Sequence, residues 1–529
     1  MARVKNVILI MTDQQRHDTF SCLKHPVVQT PTLDAIARNA VQFTSCHCTE
    51  PLCVPSRISI FRGQYPHRTG AIMNRQAEYI DGDDTCLLDV LRANGYRIGL
   101  AGKNHAFTDS YIAKTFDYRE EYEHAGKTHG NLTFSDREVT KFLMDGRRVM
   151  GLIDDAFPFP AEVCPTYRTV EDGLRFVEQS RSQPFFLFLS FGDPHFPHIV
   201  PEPFASMYSA EELPEFEAPD IDWSKLPFTN FLYSQTWGIG ATEYTIGDVK
   251  RILATYYGQI SYVDAVLVEF FDKLKSWDIL EDTVIIYMSD HGDFGGRYGL
   301  MGKIGLYDVL MRVPLIMRIP QLGTGRQENA LVSTIDILPT VLDLLDIEIP
   351  GEDAKSSDDS WWVGVDGGSR GAEAHPGIQG RSFRQLLEGD VEEHRKEVFA
   401  EGGYFAAAPL DDLSREILDV YYRMEEDWDT HFRQFNMLRG QGEESGNYRW
   451  SKRLFKQQSR RVAVKCDGWK YEYAGGDKDQ LYNLNQDPLE ANNLATDPQY
   501  AEVRLEMLRK CLDWAITEPY RNDWALLHR

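Results

Sequence analysis

The residues able to do polar chemistry in this sequence stand in short islands, each directly after an apolar run. Residues 6–11 (NVILIM) are followed by Thr12-Asp13-Gln14-Gln15. An acidic side chain at that point can hold a cation, or simply cap a turn. The island Pro51-Leu52-Cys53-Val54-Pro55-Ser56-Arg57 puts Pro55 in the first turn of a helix that would begin near Cys53. A helix N-terminus, with Arg57 one turn along, lowers the energy of negative charge on the Cys53 side chain. Taken alone, a cysteine is more often a small buried core residue. Residues 96–101 lead into Gly102-Lys103-Asn104-His105, and residues 184–190 (PFFLFLS) lead towards Asp193-Pro194-His195-Phe196-Pro197-His198. Lysine is a compact positive charge suited to oxyanions, and histidine moves protons near neutral pH. Each could equally be a solvated loop residue or a hydrogen-bonded histidine, which is how His198 reads. Residues 283–288 (TVIIYM) precede Ser289-Asp290-His291-Gly292-Asp293, with Gly302-Lys303 further on. Adjacent Asp and His offer an oxygen and a nitrogen to a divalent ion, or form a capping turn.

These islands need strands to carry them. The apolar runs at 6–11, 96–101, 184–190 and 283–288 read as strands covered on both faces of a parallel sheet. Between them, residues 32–40, 87–93 (closed by Asn94-Gly95), 170–179 and 246–275 read as helices. Alternation of this kind predicts an α/β fold, a mainly parallel central sheet flanked by helices. Ligands in such folds bind outside the carboxyl ends of the strands, where the islands fall. Residues 351–376 are rich in Gly, Ser and Asp and read as a loop or boundary. Beyond residue 380 a hairpin at 462–465 and 470–473 and a closing helix at 500–516 suggest a smaller C-terminal α+β subdomain. The expected division is therefore a catalytic domain over 1–380 and a subdomain over 381–529. Residues 411–449 are acidic and aromatic and read as helical, without a motif.

The 529 residues are 42% hydrophobic, which is ample for a large core, and carry a net charge of −25. That charge repels a nucleic-acid backbone, so no nucleic-acid partner is expected, and an anionic substrate needs a local positive cluster. No apolar run reaches the roughly eighteen residues of a membrane span. The start MARVK leads into a strand by Val7, leaving no room for a signal peptide, so a cytoplasmic location is expected. The eight cysteines form no CxxC pairs, and most read as core residues.

With the islands in this order, the sequence resembles the type I sulfatases of the alkaline phosphatase superfamily. The pieces that carry the resemblance span nearly the whole chain: ILIMTDQQ, TPTLDAIARNAVQF, CVPSR with GQYPHRTG, GYRIGLAGKNH, PFFLFLSFGDPH, DTVIIYMSDHGD, STIDILPTVLDLL and LYNLNQDPLEANNLA. The C-x-P-S-R element is the most specific, because in that family a formylglycine-generating enzyme reads it. Gln14 stands where the family often has aspartate and His291 where it often has asparagine, as in its choline-sulfatase and phosphonate monoester hydrolase branches. Asn104 replaces a frequent tryptophan, and Arg62 replaces the threonine that usually precedes the glycine.

The resemblance implies a sulfuric ester hydrolase in which Cys53, converted to formylglycine, is the nucleophile. It implies one divalent metal held by Asp13, Gln14, residue 53, Asp290 and His291. Ca2+ is favoured, with Mn2+ or Zn2+ the alternatives because of the nitrogen ligand. Arg57 would stabilise the modified residue, Lys103 and Lys303 would hold sulfate oxygens, and His105 and His195 would handle protons. An aldehyde hydrate explains the chemistry: one hydroxyl attacks, and deprotonation of the other by His105 re-forms the carbonyl and expels sulfate. His195, helped by Lys303, would protonate the leaving oxygen. The implied partners are a small sulfate-ester substrate and the maturation enzyme, with a homo-oligomer left open. A phosphonate monoester or phosphodiester hydrolase with the same site is the alternative, and a non-catalytic binding protein is a distant third.

Overall fold

The computed structural model describes residues 4–517 apart from segments 75–78, 82–85, 146–151, 153–155, 215–220, 235–244, 349–376, 403–459 and several isolated positions. The stretches 351–376 and 411–449 therefore lie outside the described residues. Among those described, no helix is long and apolar enough to cross a membrane.

In chain order the elements that build the site are β1 (Asn6–Asp13), α1 (Pro31–Ala37), β2 (Val41–His47), α2 (Cys53–Arg62), α3 (Leu87–Ala93), β3 (Arg97–Gly102), β4 (Tyr118–Glu123) and α4 (Pro165–Ser180). There follow β5 (Phe185–Pro194), α5 (Ile246–Ser276), β6 (Thr283–Ser289), β7 (Arg312–Arg318) and α6 (Ile337–Leu344). A ten-stranded sheet runs β2-β7-β6-β1-β5-β3-β4 with short strands at its edges. β1 pairs in parallel with β5 and β6, and β3 pairs in parallel with β5 and β4. The predicted mainly parallel α/β architecture is what the chain adopts.

The unbroken apolar runs follow from burial on both faces of the sheet. Along β1, Val7, Leu9 and Met11 join one core with Ile58 and Phe61 of α2, Leu87 of α3 and Leu338 of α6. Ile8 and Ile10 join the other, with Phe176 of α4 and Leu267 and Phe270 of α5. Period-two alternation sorts the side chains to opposite faces. Each layer is closed by its own helices.

β2 and β7 do not stand out in the sequence, and the reason lies in one position. Pro314 sits inside β7 where a donor is missing, which argues against a strand. It is accommodated at an irregularity, because Phe43 pairs with Leu315 but the next pair is Cys46 with Val313. β7 also runs antiparallel to both neighbours, β2 and β6.

A four-stranded antiparallel sheet follows, β8 (Val398–Gly402), β9 (Arg461–Cys466), β10 (Trp469–Tyr473) and β11 (Gln480–Asn483), covered by α7 (Ala501–Thr517). The predicted hairpin and closing helix are present. Asp467 and Gly468 both take positive φ (49° and 77°), which turns β9 into β10 in two residues. Val464, Tyr471 and Leu481 pack against Met507, Cys511 and Trp514 of α7.

Candidate active site

Parallel pairing of β1, β3, β5 and β6 puts their carboxyl ends at one edge, and each ends beside a polar island. Asp13 closes β1, Lys103 follows β3, His195 follows β5 and Asp290 follows β6. Gly102 is required for this. Its φ is +104°, and a Cβ there would lie 1.8 Å from the Ser190 carbonyl oxygen, which accepts from Lys103 N at 2.7 Å. That close crossing brings Lys103 back over the end of the sheet.

α2 begins at Cys53, as the position of Pro55 predicts, and every residue in it is buried. Asn74 Oδ1 accepts from Val54 N at 3.1 Å in its first turn. Cys53 Sγ points at the strand ends, 3.7 Å from Asp13 Oδ1, 3.4 Å from His291 Nε2 and 2.9 Å from Lys303 Nζ. The donor atoms of Asp13, Cys53, Asp290 and His291 all lie within 4.8 Å of one another. One island per strand end thus converges on one buried point.

Two further details concern what that point can hold. His291 Nδ1 is 2.9 Å from the Gly292 carbonyl, which places the proton on Nδ1 and leaves the Nε2 lone pair facing the cluster. Gln14 takes a left-handed conformation (φ 66°), and its Nε2 donates to Asp293. Its Oε1 is buried without a hydrogen-bond partner. A buried carbonyl oxygen without a partner suits a cation.

The fixed charges are mostly positive. Arg57 is fully buried and donates from Nε to Asp290 at 2.8 Å, from its other nitrogens to Ser190 Oγ at 2.9 Å and Asp13 at 3.4 Å, and to the carbonyls of Lys103 and Asn104. Its hydrogen bonds thus go to the carboxylates, the Ser190 hydroxyl and the backbone, and none to Cys53, so it acts on residue 53 through charge. Lys103 Nζ donates to Asp13 and, at 2.7 Å, to His124 Nε2. Lys303 Nζ lies 2.6 Å from His291 Nε2.

These charges decide the protonation states. Burial pushes the Cys53 thiol up, as does Asp13, but Lys103, Lys303 and His291 outweigh both and hold it well below its ordinary range. Burial also opposes ionisation of Asp13, and Lys103, His195, Lys303 and Arg57 hold that carboxyl well below its usual value. His105 Nε2 meets Glu123 at 3.0 Å. Burial and Lys103 oppose its charge, yet hydrogen bonds with Cys53 and Glu123 raise its pKa. His195 is shifted the other way, well down, by burial and then by Lys303 and Lys103 against the pull of Asp13. Its Nδ1 lies 2.8 Å from the Phe196 carbonyl, so Nε2 is the nitrogen left for chemistry.

The structure therefore brings together Asp13, Gln14, Cys53, Arg57, Lys103, His105, His195, Asp290, His291 and Lys303. His198 stands apart, its Nδ1 3.0 Å from Gln259 Oε1 in the buried wall behind the loop. Reading the sequence missed Glu123, His124 and the link from Asp293 to Gln14. Glu123 and His124 follow the same rule as the other islands, because they end a parallel strand. That strand is Tyr-Arg-Glu-Glu-Tyr-Glu, though, and shows no apolar run to mark it.

A family model described as Sulfatase matches residues 5–347. A multifunctional alkaline phosphatase superfamily protein of Trinickia caryophylli is 25% identical over 98% of this chain and 96% of its own length. A choline-sulfatase of Rhizobium meliloti is 27% identical over 93% of this chain and 83% of its own length. A solved phosphonate monoester hydrolase of Agrobacterium radiobacter superposes with a TM-score of 0.73 at 23% identity, covering 97% of this chain and 96% of that one. The chain belongs to the sulfatase family, as a hydrolase of the alkaline phosphatase superfamily.

Proposed function

We propose that the chain hydrolyses sulfate monoesters at this strand edge, with residue 53 as the nucleophile. The observation that carries the reading is the buried convergence of Asp13, Cys53, Asp290 and His291, ringed by Arg57, Lys103 and Lys303. Two carboxylates, an imidazole with its second nitrogen engaged and the partnerless Gln14 Oε1 suit one divalent cation. The oxygen-rich set favours Ca2+, with Mn2+ and Zn2+ suited to the imidazole. Bound there, the ion would supply positive charge opposite the attacking oxygen and the ester oxygens. Formylglycine at position 53, made by a formylglycine-generating enzyme, would supply an oxygen nucleophile with a second hydroxyl.

The chain's own residues do the remainder. Lys103 and Lys303 hold anionic ester oxygens over residue 53, with their ammonium groups already fixed by Asp13, His124 and His291. Lys103, His195 and Lys303, with Arg57, keep Asp13 ionised, and His291 and Arg57 do the same for Asp290. Its pairing with Glu123 makes His105 the stronger base, suited to taking a proton from residue 53. With Nδ1 engaged by the Phe196 carbonyl, His195 would take up a proton at Nε2 from solvent and pass it to the leaving oxygen, the charge of Lys303 making the protonated ring a strong acid.

A second reading is phosphonate monoester or phosphodiester hydrolysis at the same groups. Gln14 and His291 favour it, as does the similarity to a multifunctional relative. Sulfate monoesters and phosphodiesters share a singly charged tetrahedral centre. Turnover of an aryl sulfate beside an aryl phosphonate monoester separates the two, and the proposal expects the sulfate to have the higher kcat/KM. Chelation should abolish turnover and metal restore it; full activity in metal-free protein would overturn the cation's role.

A further inference from the structure

The end of β4 brings a third histidine into the site. His124 Nε2 lies 2.7 Å from Lys103 Nζ, which makes this nitrogen an acceptor. The imidazole also stacks flat on His195, with ring centroids 3.8 Å apart and planes 17° from parallel. Its ring is 6.3 Å from that of Phe196, the residue after His195.

We propose that His124 is a positioning residue that sets the aim of Lys103 and His195 together. The argument rests on the reading of His195 as proton donor to the leaving group. His195 is held at Nδ1 by one hydrogen bond to the Phe196 carbonyl and has the Phe196 ring 4.0 Å away at 38°, and since neither contact lies flat on the imidazole its plane can still tilt. The stacked face of His124 removes that tilt, so Nε2 has one direction. Lys103 has three N–H donors: one goes to Asp13 and one to His124. The third is thereby left for a substrate oxygen, in a direction the other two determine. Misplacing a catalytic group by about 1 Å can cost on the order of 10²-fold in rate.

The two contacts can be taken apart. His124→Phe keeps a flat ring against His195 but offers Lys103 no acceptor. His124→Gln keeps an acceptor but no stacking face. Turnover of 4-nitrophenyl sulfate, whose leaving group needs no proton, is compared with that of an alkyl sulfate, whose leaving group does. His195→Ala is the reference and should lower the alkyl ester by about 10²–10⁴-fold, with a much smaller loss on the aryl ester. His124→Ala should show the same selectivity, about 10²-fold on the alkyl ester. His124→Phe should restore the alkyl-to-aryl ratio while lowering kcat/KM for both, and His124→Gln should do the reverse. Equal losses on both esters in His124→Ala, beside a selective His195→Ala, would overturn the inference and leave the proposed function standing. An unselective His195→Ala would instead remove the reading of His195, and the role of His124 with it. If His124→Ala does not fold, the ratios in the Phe and Gln variants decide the matter in the same way.

Discussion

Two of the buried charge clusters among the described residues are built to opposite plans. Between the main sheet and the C-terminal sheet, Lys465 Nζ meets Asp308 at 2.6 Å, Lys470 pairs with Glu490, and Glu490 accepts from Asp308 N at 2.7 Å. Two lysines answer two carboxylates, and the Lys470 ammonium also lies over the rings of Tyr307 and Tyr482. At the strand ends, Arg57 and Lys103 pair with Asp13 and Asp290, Lys303 sits on Cys53, Cys53 is pushed towards its thiolate, and Gln14 Oε1 has no partner. The first cluster is closed and joins two sheets. The second holds a thiol forced towards ionisation and an unused oxygen donor, which a structural network would not retain.

The contrast can be broken by substitution, beginning with the largest effect. Cys53→Ala should cost about 10⁴–10⁶-fold in multiple-turnover rate on an aryl sulfate with the melting temperature unchanged. Undiminished turnover would remove residue 53 from the chemistry. In the closed cluster the loss should instead be of stability. Lys470→Met strands the Glu490 carboxylate and should cost about 3–5 kcal/mol in urea unfolding, while adding Glu490→Gln should return most of it. Activity per folded molecule should not change in either variant. At the open cluster, Lys103→Ala should cost about 10²–10³-fold in kcat/KM. There, no second substitution at Asp13 should restore it, because the lysine's task is a substrate oxygen and not its partner.

The smallest effect is on the pH dependence of stability. Burial raises the Asp308 carboxyl, but Lys465, His47 and Arg312 hold it well below its usual range. A depressed carboxyl adds stability that is fully present above its unfolded value of about 3.9 and is lost as pH falls through its lower folded value. Asp308→Asn should therefore flatten the fall of unfolding free energy between about pH 5 and pH 2. An unaltered slope would show that Asp308 titrates alike in both states.

What the sequence made legible follows from burial. β1, β5 and β6 lie inside the sheet with helices on both faces, so their runs are unbroken and the residues after them could be named: Asp13, His195 and Asp290. α2 could be placed because Pro55 marks its first turn. β4, second from one edge, is charged, with Arg119 and Glu121 paired at 2.6 Å on its own surface, so the strand and the His124 beyond it went unread. β7 was hidden by Pro314, which only pairing with β2 explains. Asp293 stood in the motif beside Asp290, but its task depends on the left-handed turn at Gln14, which no residue type announces.

The central claim is that an oxidised residue 53 does the chemistry. It is tested most directly by mass analysis of the peptide containing Cys53, made on preparations whose turnover has been measured. The account predicts that activity rises in proportion to the fraction of chains carrying the aldehyde and vanishes where that fraction is zero. A fully active preparation with an ordinary thiol at position 53 would contradict it.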